Sequence, residues 1–381
     1  MRILVSGGGT AGHISPTLAT VDALKRLDKD AEILYVGQKG SLEAKITAAS
    51  GIQFASIQAG KFRRYRNASL FNKLTDLSSA ALNIRDLGRF GVGVTQSIKI
   101  IRRFSPDVVF IKGGYVALPV GLAAGLLKIP YVVHESDVVP GLTNKTLSKK
   151  ATTVATGFPV DKYHELPKEK LVFTGSPIRA GILGVHRLEG LAKFKLDSKL
   201  PVVLVMGGSL GAKRVNDAII EALRNLTEFC QVIHITGERD IERVRFEVKR
   251  LQLPKPERYQ AHSFLMDELG GALAAADVVI SRAGANSIAE LAALRKPTIL
   301  VPASHLRDQE TNAQVLARAG AVRVIPEARL SSQRLVSEVK LVLEDDSERG
   351  RLSEHIAEFA VNDAAEQLAK LILAAAQSRG E

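Results

Sequence analysis

Twice along these 381 residues a short apolar run stops at a cluster of glycines and restarts as an amphipathic helix. The first instance is residues 3–5, then Gly7-Gly8-Gly9-Thr10-Ala11-Gly12-His13, then a helix carrying Leu18, Val21 and Leu24. The second is 201–206, then Gly207-Gly208-Ser209-Leu210-Gly211, then a helix over 212–226. A strand feeding a helix through a tight glycine turn opens a doubly wound parallel sheet, and such sheets hold their ligands beyond the carboxyl ends of the strands. The repeat predicts an α/β protein of two Rossmann-like doubly wound domains facing each other across a cleft. The run 171–177 reads as a last strand entering a linker, so the domains are expected at 1–176 and 177–356. A final helix over 364–375 is expected to return to the first domain, adding 357–381 to it.

The glycines of the first loop also fit G-x-G-x-x-G, the dinucleotide-binding pattern. That pattern needs an acid after the second strand, and Gly37, Gln38 and Lys39 stand there instead, so no nicotinamide or flavin cofactor is expected. Asp28-Lys-Asp30 has the spacing of a metal-binding pair but precedes the second strand, at the wrong end of a parallel sheet, and no metal site is expected. Cys230 is the only cysteine, which excludes an internal disulfide and suits a reducing compartment. The apolar start is too short for a signal segment, and no stretch is long enough to span a bilayer.

Net charge is +12, and the window 60–105 holds ten basic residues against two acids, or +8 of it. A cationic cluster of that kind meets phosphates, on nucleic acid or on a lipid surface. Within it, Leu70, Leu74, Leu77 and Ala81 recur at helical spacing over 69–84, with Phe71 widening the stripe and Lys73 beside it. Apolar stripe and cationic rim together suit the surface of an anionic bilayer; a helix packed on its own sheet is the other reading. Nucleic acid is not expected, because only Phe62, Tyr65 and Phe71 interleave the basic residues.

Chemistry is most concentrated over 282–312. There a strand ends, the chain turns at Gly284, and a helix restarts with Ala285, Asn286, Ser287, Ile288, Ala289 and Glu290. Free backbone N–H groups at such a start attract a diphosphate. Glu290, one turn further in, could accept the paired hydroxyls of a ribose, or could be a solvated acid favoured by the helix dipole. The following polar segment, with Asp308 and Gln309, reaches toward the same crevice. His13 falls just inside the first helix, where the dipole disfavours its protonated form and keeps it available as a base; a merely packed histidine is the alternative.

Taken together, GGTAGH at 8–13, GGY at 113–115, HES and GLTNK within 134–145, GGSLGA at 207–212, and SRAGANSIAEL with HLRDQETNA over 281–313 are similar to the MurG family of glycosyltransferases. The resemblance runs in register from about Arg2 to Ile325. It implies a GT-B architecture, a C-terminal domain holding UDP-N-acetylglucosamine, and an N-terminal domain meeting the lipid-linked muramyl-pentapeptide acceptor, lipid I, at the cytoplasmic face of the cell membrane. It implies that Glu290 binds the ribose, that 285–289 lie under the diphosphate, and that Ser209 and Arg179 contact the donor phosphate. It further implies that Met266 offers backbone groups to uracil and Gln309 binds the sugar hydroxyls. Thr10, Ala11 and Gly12 would face the donor sugar or the acceptor diphosphate. Ala11, Asp308 and Asp137 depart from residues common in the family, the last two where the sugar is contacted. The implied reaction is inverting and metal-independent, with His13 as base for the acceptor hydroxyl and UDP-N-acetylglucosamine as donor substrate rather than cofactor. Another GT-B lipid glycosyltransferase, or a UDP-sugar epimerase of the same fold, is the alternative.

Overall fold

The computed structural model describes residues 1–8, 11–60, 77–178, 180–208 and 211–377, with backbone alone for Ala11, Gly12, His13, Leu42, residues 77–84 and Ala180. Thr10, Arg179, Ser209 and the stripe of Leu70, Phe71, Lys73 and Leu74 therefore lie outside the described residues, as do the side chains of Ala11, Gly12 and His13.

The chain forms two compact units, one of Met1–Ser136, Pro140–Pro177 and Asp363–Glu381, the other of Asp137–Val139 and Ile178–Asn362. In the first unit the strands are β1 (Arg2–Gly7), β2 (Glu32–Gln38), β3 (Gln53–Ile57), β4 (Val108–Gly113), β5 (Tyr131–Glu135), β6 (Thr153–Thr156) and β7 (Leu171–Phe173). They lie side by side in the order β3-β2-β1-β4-β5-β6-β7, every pair parallel, with Leu4 opposite Leu34 on one side and Val109 on the other. The second unit has β8 (Val202–Met206), β9 (Gln231–Ile235), β10 (Tyr259–His262), β11 (Val278–Ser281), β12 (Thr298–Leu300) and β13 (Arg323–Val324), ordered β10-β9-β8-β11-β12-β13 and again parallel. Both orders reverse direction beside the first strand, at β1/β4 and at β8/β11, which opens a crevice at the carboxyl ends there. Helices cover both faces, so β4 and β8 are buried at every residue and, Lys112 at the end of β4 apart, read as apolar runs.

One apolar core of the first unit joins Ile3, Val5, Leu24, Tyr35, Phe110 and Val132 to Leu368, Ala369, Ile372, Ala375 and Ala376 of the last helix, Ala364–Gln377. The C-terminal segment thus completes the N-terminal sheet. In the second unit, Val203, Val205, Ile280 and Ile299 pack on Ile219, Leu223 and Leu226 of the helix Lys213–Phe229 and on Leu335, Val339 and Val342 of Ser332–Glu344.

One expectation about the elements needs correction. The helical stripe expected to end at 84 does not stop there: from Leu77 the described chain is one helix that runs on to Phe104. The glycines that interrupt the apolar period do not break it. At Gly93 a side chain would meet Gln58 O at 2.1 Å, so the residue serves close approach of a loop to the helix rather than a turn.

Candidate active site

At the second unit's switch point, β8 ends in Gly207-Gly208 and β11 runs through Arg282-Ala283-Gly284 into the helix Ala285–Ala293. Gly284 is extended (φ −75°, ψ 135°), no side chain caps the helix, and its first turn carries no acid. Its leading N–H groups are therefore left to a ligand or water, and no neighbouring negative charge in the turn competes with an anion. Ile288, Leu291 and Ala292 turn into the core, and Glu290 is itself only 9% exposed. That burial removes the reading of Glu290 as a solvated acid. Asn286 stands four residues before it, on the same stripe of the helix.

Three loops beyond the strand ends are tied together by one carboxylate. Arg282 Nη2 donates to Glu327 Oε1 at 2.6 Å and its Nη1 to Val301 O at 2.9 Å, while Ser304 N and Oγ donate to Glu327 Oε2 at 3.0 and 2.7 Å. Burial alone would raise the Glu327 pKa; the bonds from Ser304 and Arg282 outweigh it and bring the carboxyl down to about 2. A second tie is Asn312, fully buried in the helix Arg307–Arg318. Its Nδ2 donates to Asp137 Oδ1 at 2.8 Å and Ala283 O at 3.1 Å, and its Oδ1 accepts from Val138 N at 3.0 Å. Asp137 and the turn before Ala285 are thus brought together through Asn312, and Asp137 spends one carboxylate oxygen on that bond. Gln309 fixes the loop after β12 by accepting from Ala303 N at 3.1 Å, and Asp308 is half-buried in the first turn of the same helix. Met266 follows β10, the edge strand, and is 65% exposed.

The first unit builds a different crevice. Gly114 has φ +82°, and a side chain on it would meet Gly8 O at 2.0 Å, so the loops after β1 and β4 touch through bare backbone. His13 is the third residue of the helix Ala11–Leu27. Glu43, 2% exposed, lies against this loop: a side chain on Gly8 would meet Glu43 Oε1 at 2.6 Å, and that oxygen has no hydrogen-bond partner among the described residues. Tyr115 Oη donates to Gln38 Oε1 at 2.6 Å, and burial followed by the Glu43 charge raises the pKa of Tyr115. Lys112, fully buried at the end of β4, donates from Nζ to Ser136 Oγ and to His134 Nδ1, the latter at 2.9 Å. An ammonium only donates, so His134 carries its proton on Nε2 and gives it to Gly175 O at 2.9 Å. Glu135 Oε2 accepts from Gly141 N and Asn144 Nδ2, each at 2.9 Å. The HES and GLTNK motifs therefore form one knot that shapes the loop after β5.

Sequence reasoning gave no role to Glu43, Lys112, Arg282, Asn312 or Glu327. A signal existed for one of them. Asn312 shares the period of Ala313 and Leu316, so a polar side chain falls on the buried stripe of its helix.

Residues 3–156 match the glycosyltransferase family 28 N-terminal domain and residues 202–368 the glycosyltransferase family 28 C-terminal domain. A UDP-N-acetylglucosamine–N-acetylmuramyl-(pentapeptide) pyrophosphoryl-undecaprenol N-acetylglucosamine transferase of Shouchella clausii is 38% identical over 342 residues, 89% of this chain and 90% of the relative. The Lachnoclostridium phytofermentans enzyme of the same name is 37% identical over 374 residues, 97% of this chain and 98% of the relative. Among solved structures, Acinetobacter baumannii MurG superposes with a TM-score of 0.73 at 24% identity, covering 98% of this chain and 99% of that one. A Neisseria meningitidis UDP-GlcNAc 2-epimerase reaches 0.67 at 14% identity, over 98% of this chain and 100% of that one, a likeness of fold alone. The fold is of the GT-B class, and the chain belongs to glycosyltransferase family 28, within it to the MurG family of N-acetylglucosamine transferases.

Proposed function

We propose that the chain transfers N-acetylglucosamine from UDP-N-acetylglucosamine to the C4 hydroxyl of the muramyl sugar of lipid I, forming lipid II in peptidoglycan synthesis. The observation that carries this is identity of 37–38% over at least nine-tenths of the length of curated relatives with that named activity. The epimerase alternative rests on fold likeness alone and is not favoured.

In this reading the donor's diphosphate lies at the start of Ala285–Ala293, where an uncapped, acid-free first turn supports it, and the ribose hydroxyls meet Glu290. Ser209 and Arg179 add phosphate contacts, Met266 backbone groups to uracil, and Gln309, Asp308 and Asp137 polar groups to the sugar. The acceptor hydroxyl attacks the anomeric carbon with inversion as UDP departs, its proton passing to His13. Leaving-group charge is stabilised by backbone N–H groups in place of a metal ion. The acceptor is met by the N-terminal unit around Thr10, Ala11 and Gly12. The protein works peripherally at the cytoplasmic face of the membrane, held by the basic, apolar stretch around Leu70, Phe71, Lys73 and Leu74. No helix among the described residues is long and apolar enough to cross the bilayer.

The test is transfer of labelled N-acetylglucosamine to a short-chain lipid I analogue, with chelator present. We predict that product forms, that Glu290→Ala raises the donor KM by roughly tenfold or more with a smaller change in kcat, and that His13→Ala lowers kcat by about 10²-fold or more. Absence of transfer with retained UDP-sugar binding would redirect the search to other lipid acceptors; unchanged kinetics in both variants would sink the site assignment.

A further inference from the structure

At the edge of the second unit opposite its glycine loops, a cavity of about 480 Å³ is lined by Arg187, Asp277, Arg295, Lys296, Asp346 and Arg349, among others. Asp277 precedes β11 and Pro297, also in the lining, precedes β12, so the cavity sits at the amino ends of these strands. Four residues of β11 separate it from the Gly284 turn, roughly 13 Å of extended chain.

Its charges do not cancel. Arg187 is held by Asp277, Nη1 to Oδ1 at 2.8 Å, and donates to Ala275 O; Arg349 pairs with Asp346 and donates to Leu343 O at 2.8 Å. Two cations remain. Lys296 Nζ donates to Ala276 O at 2.8 Å and Ala274 O at 3.2 Å, and an ammonium has a third N–H. Arg295 is exposed, and its guanidinium makes no hydrogen bond or ion pair among the described residues. Two unneutralised cations beside a space of this size fit a doubly charged group with a small body attached. We propose that this cavity is a second anion site, taking a phosphate-bearing small molecule away from the glycine loops of the same unit.

Lys296 reports on the site directly. Burial first, then the charge of Arg187, pushes its pKa down to about 8 against the pull of Asp277. A bound dianion favours the ammonium, so occupancy is expected to reverse the shift; a rise of one unit cuts the neutral amine present at pH 8 about fivefold. The experiment is acetylation of Lys296 by an active ester at pH 8, followed by mass spectrometry, with and without inorganic phosphate and with sodium chloride matching ionic strength. Phosphate should slow modification about fivefold in the wild type and have little effect in Arg295→Gly. That variant removes the guanidinium and should fold, because Arg295 has φ +53°, a conformation glycine adopts at less cost. Repeating the measurement with saturating UDP separates the two phosphate sites. Modification insensitive to phosphate, equally sensitive in Arg295→Gly, or made insensitive by UDP overturns the proposal.

Discussion

Single residues here divide into those whose chemistry shows in the sequence and those whose chemistry is made by burial. Glu290 is of the first kind: a carboxylate one turn beyond a glycine-led helix start has few structural reasons to be there, and its burial removes the main one. His234 is of the second. Asn216 Nδ2 donates to Thr236 O and to Asp240, so its Oδ1 accepts from His234 Nε2 at 3.0 Å, and His234 Nδ1 accepts from Tyr259 Oη at 2.9 Å. Desolvation, only partly offset by Asp240, lowers its pKa to about 3. The folded pKa lies below the unfolded one, so the unfolded state binds the extra proton and stability is lost as pH falls from about 6.5 toward 3. We predict a loss of about 2 kcal/mol between pH 7 and 5 in urea unfolding of the second unit, absent in His234→Gln. A slope unchanged in that variant would assign the proton elsewhere. Glu327 opens a separate window: its depressed carboxyl contributes stability above about 4.5 that is lost as pH falls toward 2. Neither group announces itself in the sequence, because the His234 shift comes from burial in the fold and the Glu327 shift from Ser304 and Arg282, distant along the chain.

Elements were legible where their period was clean. The strands and helices that flank the glycine loops at both switch points, and the last helix, stand close to where the apolar pattern puts them. The helix Leu77–Phe104 runs past the end expected at 84 because its glycines break the apolar period without breaking the backbone. Loop ties were the least legible, since Asn312 joins Asp137, Val138 and Ala283 across long sequence separations. Removing its amide leaves three buried or half-buried groups to find new partners. We predict that Asn312→Ala costs about 2–4 kcal/mol of second-unit stability and that Asn312→Asp, which sets a carboxylate beside Asp137, costs at least as much. Chemical denaturation compares them; an aspartate variant as stable as wild type would mean that Asp137 is not held there.

Across the whole molecule, the order of the chain and the order of the cores differ. Leu368 and Ile372 are fully buried in the core of the first unit, and each contributes about 2–3 kcal/mol by burial, a large share of a domain's net stability. A chain ending at Asn362 is therefore predicted to lose the cooperative unfolding of its N-terminal unit and to keep that of the second, seen as one calorimetric transition in place of two. Two transitions in the shortened chain would show the last helix to be dispensable. For a protein made from its amino end the same core sets a schedule. The N-terminal sheet can form its strands early, yet its apolar flank waits for residues 364–377, while the second unit has all its parts sooner. The domain synthesised first is the one finished last, so a chain released just after Asn362 has a complete second unit and a first unit that still needs shelter from aggregation.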